Sequence, residues 1–300
     1  LAGHWTPEGA FIREAEKKGF PSVGVLDTNA GHKLRLGEDP NHFPTTLAVM
    51  SDACIDSIAE ELGGDVGAEA ARRCKVVGWT AFDDYAKLRA EFTPDDRARV
   101  LQQASLDPGR QWYIHFTSNI PANAPYFDGI STAERDERKI RYGYECNITR
   151  VVVEHAKAQG LPLAVKPHPQ EHSGATYDYV RGKGFHALPP ESCDTKELIL
   201  AASAVSATRS SVLDESCLLD RDTGAFFPNL PKKDYTEFAS VTAGAIPYAL
   251  RLDQVRPVID IITTSHAETI DALAEHRKRF SVDGNASRRL ATFIQEQYGP

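Results

Sequence analysis

Two segments carry the pattern from which we predict the fold, LPLAVKPHP at residues 161–169 and DTKELILAASAVSATRSSVLDE at residues 194–215. The first segment is a short apolar run that ends in two prolines, which is typical of a buried strand running into a loop. The second contains a helix with Asp194 or Thr195 as its N-cap, the short strand AVSAT (204–208), and the start of a further helix. Strands that alternate with helices favour a parallel sheet with helices on both faces. The sequence therefore predicts an α/β fold.

The same alternation extends along the rest of the chain. PSVGVLD (21–27), LAVMSD (47–52) and KVVGW (75–79) have the pattern of short strands with helical segments between them. A polar stretch at 93–111 carries an Asp-Pro-Gly turn signal, and WYIHFTS (112–118) then starts a new strand. We place the domain boundary in this polar stretch. The predicted organisation is an α/β domain over 1–105, a second over 106–265, and a closing helical segment over 266–300.

Composition narrows the class of protein. The chain has 300 residues, of which 41% are hydrophobic and 25% charged, and this excludes a mainly disordered or coiled-coil protein. The net charge of −8, from 34 Lys+Arg and 42 Asp+Glu, argues against a general nucleic-acid binder. The five cysteines form no CxxC pair, and the start of the sequence lacks the pattern of a signal peptide. We therefore expect a cytoplasmic protein.

Two prolines hold a cation and an imidazole at the end of the strand at 161–169. Lys166 and His168 stand beside Pro167 and Pro169, and proline restricts the backbone, which stiffens the loop. Lys166 could neutralise a phosphate, and His168 could donate a hydrogen bond to it or act on a leaving group. The alternative is a proline-rich turn whose Lys and His are simply solvated. Open parallel sheets bind ligands beyond the carboxyl ends of their strands, so this position favours a functional role.

A second candidate site follows the strand AVSAT. Thr208, Arg209, Ser210 and Ser211 lead into the next helix, where free N–H groups, hydroxyls and the helix dipole together attract an anion. Glu215 lies one turn inside that helix and could accept hydrogen bonds from ribose hydroxyls. The alternative is that the serines form an ordinary helix N-cap.

Two further strand ends carry polar side chains. Thr117 and Ser118 follow WYIHF, and Asp27 follows PSVGVL in the first half. A carboxylate at a strand end is a candidate general base, although a capping or turn role for Asp27 remains an alternative. The sequence contains no HExxH motif and no GxxxxGKS/T phosphate loop, and no residue is assigned to a metal or a cofactor.

In this order, the motifs resemble GT-B glycosyltransferases of the bacterial capsule and cell-wall type. These include polysialyltransferase-like, Kdo-transferase-like and CDP-glycerol glycerophosphotransferase-like enzymes. The resemblance is carried by KPHP (166–169), by residues 194–215, and by RKRFSVDGNASRRLATFIQEQY (277–298). VVGWTAFDDY (76–85) is similar to a stretch that precedes the interdomain linker in these proteins and in UDP-GlcNAc 2-epimerases.

The resemblance implies two Rossmann-like domains that face a cleft. The short first half and the initial Leu1 further suggest an incomplete or reduced N-terminal domain. It also implies that His168, Ser210 and Ser211 contact the donor's phosphates. In bacterial sialyltransferases two adjacent acids before a glycine hold the base, whereas LDTNAG here has only Asp27.

The sequence therefore predicts a glycosyltransferase that needs no metal. Its donor would be a CMP-, CDP- or UDP-linked sugar or polyol phosphate, and its acceptor a glycan hydroxyl. No nucleic-acid partner is expected, and peripheral association with a membrane fits the resemblance. Two alternatives remain open, an isomerase of the UDP-GlcNAc 2-epimerase type and a catalytically inactive nucleotide-sugar binding protein.

Overall fold

The chain folds into two α/β units, each built on a parallel sheet. The first unit comprises residues 1–90 and 275–300, and the second comprises residues 91–274. The α/β fold predicted from the sequence is confirmed. The structure is a computed structural model, which describes residues 7–26, 32–124, 131–171, 174–230, 235, 238–264, 266–279 and 283–299.

The described part of the first unit has a three-stranded sheet in the order β1-β2-β3. Leu47 in the central strand pairs with Gly24 on one side and Cys74 on the other. Together with Phe43 and Ile58, Leu47 is fully buried in the core of this unit. The strands are β1 (Val23–Val25), β2 (Thr46–Val49) and β3 (Cys74–Val76), and the helices are α1 (Pro7–Lys17), α2 (His32–Leu36), α3 (Asp52–Leu62), α4 (Gly64–Arg72) and α5 (Asp83–Glu91), with 3-10 turns at Pro40–His42 and Thr80–Phe82.

The second unit has a six-stranded parallel sheet in the order β6-β5-β4-β7-β8-β9. Its strands are β4 (Tyr113–Phe116), β5 (Leu163–Lys166), β6 (His186–Ala187), β7 (Ala204–Ala207), β8 (Asp222–Phe226) and β9 (Tyr248–Ala249). The helices of the second half of the chain are α6 (Pro94–Gln103), α7 (Thr132–Gln159), α8 (Ala175–Gly182), α9 (Thr195–Ala201), α10 (Val212–Leu218), α11 (Ala239–Thr242), α12 (Leu252–Thr264), α13 (His266–Arg279) and α14 (Ala286–Tyr298).

Local sequence signals explain where these helices begin and end. A capping box between Ser131 and Glu134 starts α7, and Gly160 ends it with φ at 67°, a conformation that glycine adopts without strain. Asp194 caps α9 by accepting hydrogen bonds from two backbone N–H groups. The polar stretch at 93–111, in which we placed the boundary, begins with another capping box at Thr93 and forms α6, which packs against α9.

The final helix, α14, belongs to the first unit. The carboxylate of Asp83 accepts hydrogen bonds from the backbone N–H groups of Ala286 and Ser287, at 2.8 and 2.7 Å. Because these are the first N–H groups of α14, Asp83 satisfies donors that the helix itself leaves unpaired. Among the helices that the structure describes, none combines the length and apolar character needed to cross a membrane.

Candidate functional site

The strand order of the second unit creates one topological switch point, between β4 and β7. The chain runs from β4 outward through β5 to β6, and then returns to β7 beside β4. Helices α7 and α12 pack together, whereas α6, α9 and α10 form another group. Open α/β sheets of this order bind ligands at the switch point, beyond the carboxyl ends of the strands. Thr117 follows β4 there, and Thr208 follows β7.

A direct hydrogen bond joins these two strand ends. The Ser118 hydroxyl donates to the backbone carbonyl of Thr208, and both residues are buried. Thr117 is also buried, and its hydroxyl donates to the carboxylate of Glu171. The structure therefore brings Thr117, Ser118 and Thr208 together, as their positions at strand ends suggest.

The carboxylate of Glu171 is the shared acceptor of the hydrogen bonds beside the end of β5. Its Oε1 accepts hydrogen bonds from the backbone N–H groups of Asn119 and His168, at 2.9 and 3.0 Å, and from Thr117. Its Oε2 accepts from the Thr176 hydroxyl at 2.9 Å. Burial raises the pKa of Glu171, and these hydrogen bonds oppose that rise. Glu171 thus connects the ends of β4 and β5.

The geometry of His168 indicates a neutral hydrogen-bond donor. The backbone N–H of Gln170 donates to its Nδ1 at 3.1 Å, which assigns the ring proton of neutral His168 to Nε2. Its pKa lies below the ordinary value because the ring is half-buried and because Arg138 is nearby. A neutral imidazole with Nε2–H can donate a hydrogen bond to a phosphate oxygen without itself carrying charge.

Lys166 is the last residue of β5, and its ammonium group has a partner within the protein. Its Nζ donates to the backbone carbonyl of Cys193 at 2.8 Å, in the loop before α9. The side chain is buried, and burial lowers the pKa of Lys166. This hydrogen bond therefore holds the loop before α9 against the end of β5.

The serine pair lies where β7 passes into α10. Arg209 has a φ of 44°, in the left-handed region that non-glycine residues rarely adopt. The backbone N–H of Val212 donates to the Ser210 hydroxyl at 3.3 Å, whereas Ser211 is exposed. Glu215 is partly buried on the first turn of α10. The strained Arg209 backbone sets the direction in which the chain enters this helix.

Arg138 and Glu145 form a buried ion pair next to the loop that follows β4. Arg138 donates to both carboxylate oxygens of Glu145, and its guanidinium also donates to the backbone carbonyls of Ser118 and Ile120. Burial raises the pKa of Glu145 to about 7, against the attraction of Arg138 and of Arg209. Three arginines, Arg138, Arg209 and Arg141, therefore lie near one buried carboxylate.

Sequence reasoning missed Glu171, Arg138 and Glu145. Glu171 stands two residues after the second proline of KPHP, and that position was the available signal. Arg138 and Glu145 lie within the charged first half of α7, where local sequence does not distinguish a buried pair from an exposed one. Asp27, the candidate base, lies outside the described residues. Within the described residues, no group of His, Cys, Asp and Glu could hold a metal ion.

Comparison with known proteins identifies the fold. No protein-family model and no curated sequence match the chain. The wall teichoic acid polymerase TagF aligns with a TM-score of 0.54 and 14% identity, over 86% of this chain and 59% of its own. The UDP-GlcNAc 2-epimerase from Neisseria meningitidis aligns with a TM-score of 0.61 and 11% identity, over 96% and 73% of the two chains. The chain has a GT-B fold.

A third structure supports the same fold. Anabaena Alr3699/HepE, solved with UDP and glucose, aligns with a TM-score of 0.52 and 14% identity, over 93% of this chain and 73% of its own. The resemblance to GT-B glycosyltransferases is thereby confirmed at the level of the fold. The chain spans about three-fifths of the length of TagF.

Proposed function

We propose that this GT-B chain is a glycosyltransferase that binds a nucleotide-activated donor at the switch point of its second sheet. It would transfer a sugar or a polyol phosphate to a hydroxyl group of a glycan. The observation that carries this proposal is the network that joins the ends of β4, β5 and β7. Ser118 bonds to Thr208, and Glu171 bonds to both Thr117 and His168. Such convergence of polar groups at a switch point is the usual setting of a nucleotide site.

In this proposal the donor's phosphates lie between the KPHP loop and the start of α10. Ser210, Ser211 and the Nε2–H of His168 donate hydrogen bonds to phosphate oxygens, and Arg209 supplies positive charge. Glu215 accepts hydrogen bonds from the ribose. These groups would stabilise the charge on the leaving phosphate, so that the reaction needs no metal ion.

The remaining predicted residues have supporting roles in the same scheme. Lys166 holds the loop at residue 193 through its bond to Cys193 and adds positive charge to the strand end. Asp27 is the proposed general base for the acceptor hydroxyl. The variant Asp27→Asn is expected to abolish transfer and to spare donor binding, as radiolabel transfer and nucleotide binding would report. An Asp27→Asn protein with full transfer activity would remove Asp27 from the base role.

The neighbours support a nucleotide-linked donor. One TagF structure contains CDPG, the HepE structure contains UDP and glucose, and the Neisseria epimerase contains UDP-GlcNAc. For this chain we accordingly infer a CMP-, CDP- or UDP-linked donor. A cell-wall or capsule glycan is the acceptor class that the resemblance to TagF favours.

A thermal-shift panel of CMP, CDP, UDP, GDP and TDP tests the proposal. A nucleotide at about 100 times its dissociation constant stabilises the folded state by roughly 2.7 kcal/mol, which a melting curve resolves. A shift with CMP alone would indicate an acidic-sugar donor, one with CDP a polyol phosphate, and one with UDP a hexose or hexosamine. The absence of a shift with every nucleotide would contradict the donor site.

A second candidate function is isomerisation of the UDP-GlcNAc 2-epimerase type. Its support is the fuller alignment with the Neisseria epimerase, which includes 96% of this chain, against 86% for TagF. Incubation with UDP-GlcNAc in the absence of an acceptor distinguishes the two functions. Formation of the 2-epimer, followed by NMR, would favour the isomerase, whereas unchanged UDP-GlcNAc would favour a transferase.

A further inference from the structure

A groove of about 340 Å³ lies between α7 and α8, beside the network at the switch point. Its floor is polar and buried, because Asn119 donates to the hydroxyls of Thr149 and Thr176, at 3.0 and 3.2 Å. Tyr142 and Tyr179 contribute aromatic rings to its lining. The groove is near the lower end of the size range of small-molecule sites, and its mixture of rings and fixed polar groups is typical of them.

Gly143 provides a position at which substitution can fill the groove. It lies inside the 28-residue helix α7 and lines the groove. Glycine inside a helix costs about 1 kcal/mol relative to alanine, so its presence calls for a conformational or a packing reason. Gly143 is not among the residues with positive φ, and a Cβ atom built on it meets no atom within 4 Å. Neither reason applies at Gly143, and a side chain larger than a methyl group at this position would project into the groove.

Arg150 gives the groove a positively charged side chain. It is exposed, lines the groove, and lies over the ring of Tyr179 at 6.0 Å. Within the described part of the chain, it forms no salt bridge with a carboxylate, although Glu154 one turn further on pairs with Lys183 at 2.6 Å. A guanidinium held against an aromatic ring presents its remaining N–H donors to an anion.

We propose that this groove binds an acidic monosaccharide residue. The carboxylate or phosphate of the sugar would pair with Arg150, and its hydroxyls would bond to Asn147 and the polar floor. The groove shares Asn119 and Thr176 with the network around Glu171, but its other lining residues lie on α7 and α8 and not in the KPHP loop or at the start of α10. Sugar binding without nucleotide binding would support this inference and contradict the donor site.

The test is a titration of the full chain with three sugars that share one ring, followed by saturation-transfer NMR. The sugars are glucuronate, glucose 6-phosphate and glucose. We expect saturable binding of at least one acidic sugar with a dissociation constant on the order of 1 mM, and about tenfold weaker binding of glucose. The two acidic sugars distinguish a carboxylate ligand from a phosphate ligand.

Four variants locate the site. Gly143→Leu, which fills the groove, should weaken acidic-sugar binding at least about tenfold, whereas Gly143→Ala should retain it. Arg150→Gln should reduce acidic-sugar affinity to the level of glucose. The matched control is Arg181→Gln, because Arg181 also lies over a tyrosine ring, that of Tyr177, but does not line the groove. This control should bind like the unmodified chain.

Three results would overturn the proposal. One is the absence of saturable binding of every sugar to the unmodified chain. Another is equal affinity for glucose and both acidic sugars. The third is a failure of the variants to locate the site. Folded Gly143→Leu and Arg150→Gln proteins would then both retain binding, or Arg150→Gln and Arg181→Gln would lose it equally.

Discussion

The polar side chains at the two ends of the six-stranded sheet have different kinds of hydrogen-bond partner. At the amino end, Arg97 donates to the carbonyls of Ala201, Pro108 and Arg110, and Arg221 donates twice to that of Leu200. These arginines satisfy backbone acceptors at the ends of helices and loops. A cavity of about 410 Å³ lies there too, but the described bonds of its two guanidiniums go to the backbone.

At the carboxyl end the polar groups include two buried carboxylates, Glu145 and Glu171, and the half-buried His168. Burial raises the pKa of Glu145 and of Glu171, and it lowers the pKa of His168. Shifted groups that cluster at one place are typical of functional sites, although structural ion pairs also produce such shifts. Cavity size alone therefore does not distinguish the two ends. The chemistry of the groups around each cavity does, and it favours the carboxyl end, where we propose the donor site.

The largest predicted effect comes from removing one partner of the buried ion pair. Glu145→Ala leaves Arg138 buried without its carboxylate and should cost about 3–5 kcal/mol of unfolding free energy. At the amino end, Arg97→Gln should cost only about 1–2 kcal/mol, because Arg97 and its hydrogen bonds are only partly buried. Urea unfolding at neutral pH measures both. If Arg97→Gln proved as costly as Glu145→Ala, the proposed difference between the two ends would be wrong.

His115 in β4 provides a prediction about how the free energy of unfolding depends on pH. His115 in β4 is fully buried, its Nδ1 lies 2.8 Å from the Ser206 hydroxyl, and burial lowers its pKa to about 3. Because the neutral ring is favoured in the folded state, its contribution is fully present above about pH 6.5 and is lost as pH falls toward 3. The loss should approach about 1.4 kcal/mol per pH unit and reach roughly 2.7 kcal/mol in total at pH 4.5, relative to the stability well above pH 6.5.

The variant His115→Asn provides the control for this pH dependence. Unfolding free energies measured at several pH values should show a shallower decline for the variant than for the unmodified chain. Parallel curves for the two proteins would mean that other groups, and not His115, govern the acid sensitivity.

The alternation of strands and helices was sufficient to predict where the polar strand ends lie. Thr117, Lys166 and Thr208 each stand at a strand end, where the pattern of short apolar runs placed them. Strand order is not contained in that pattern, so the pairing of β4 with β7 became known only from the structure. The sequence also gave no indication that Lys166 would bond to Cys193, because that contact joins residues 27 positions apart.

Contacts between distant residues explain what sequence reasoning could not predict. Glu171 bonds to Thr117, and the two are 54 positions apart. Arg138 and Glu145 are seven positions apart, about two turns of one helix, and only burial against the 118–120 loop distinguishes them from exposed charges. The capping box at Thr93 was a local signal, and α6 could have been predicted from it.

The next prediction compares serine hydroxyls at the two ends of β7. Ser210 and Ser211 follow its carboxyl end, and Ser203 precedes its amino end. The double variant Ser210→Ala/Ser211→Ala should weaken binding of the responsive nucleotide by about 1–3 kcal/mol, because hydrogen bonds to phosphate are lost. Ser203→Ala is the matched control, since its hydroxyl donates to the Trp112 carbonyl at the amino end of β7. Isothermal titration calorimetry gives both affinities. Unchanged binding by a folded double variant would remove Ser210 and Ser211 from the donor site.

The smallest predicted effect concerns the free energy of unfolding and not binding. Gly143→Ala should stabilise the chain by about 0.5–1 kcal/mol, because alanine restricts the unfolded chain and the added methyl group enters open space. Gly182 at the end of α8 has equally open surroundings but does not line the groove, so Gly182→Ala should give a smaller gain at a helix end. Thermal unfolding measures both. A loss of stability in Gly143→Ala would mean that packing requires this glycine. A gain would mean that the folded chain accommodates a methyl group at this position, as the open surroundings of Gly143 predict, and that only a larger side chain such as leucine fills the groove.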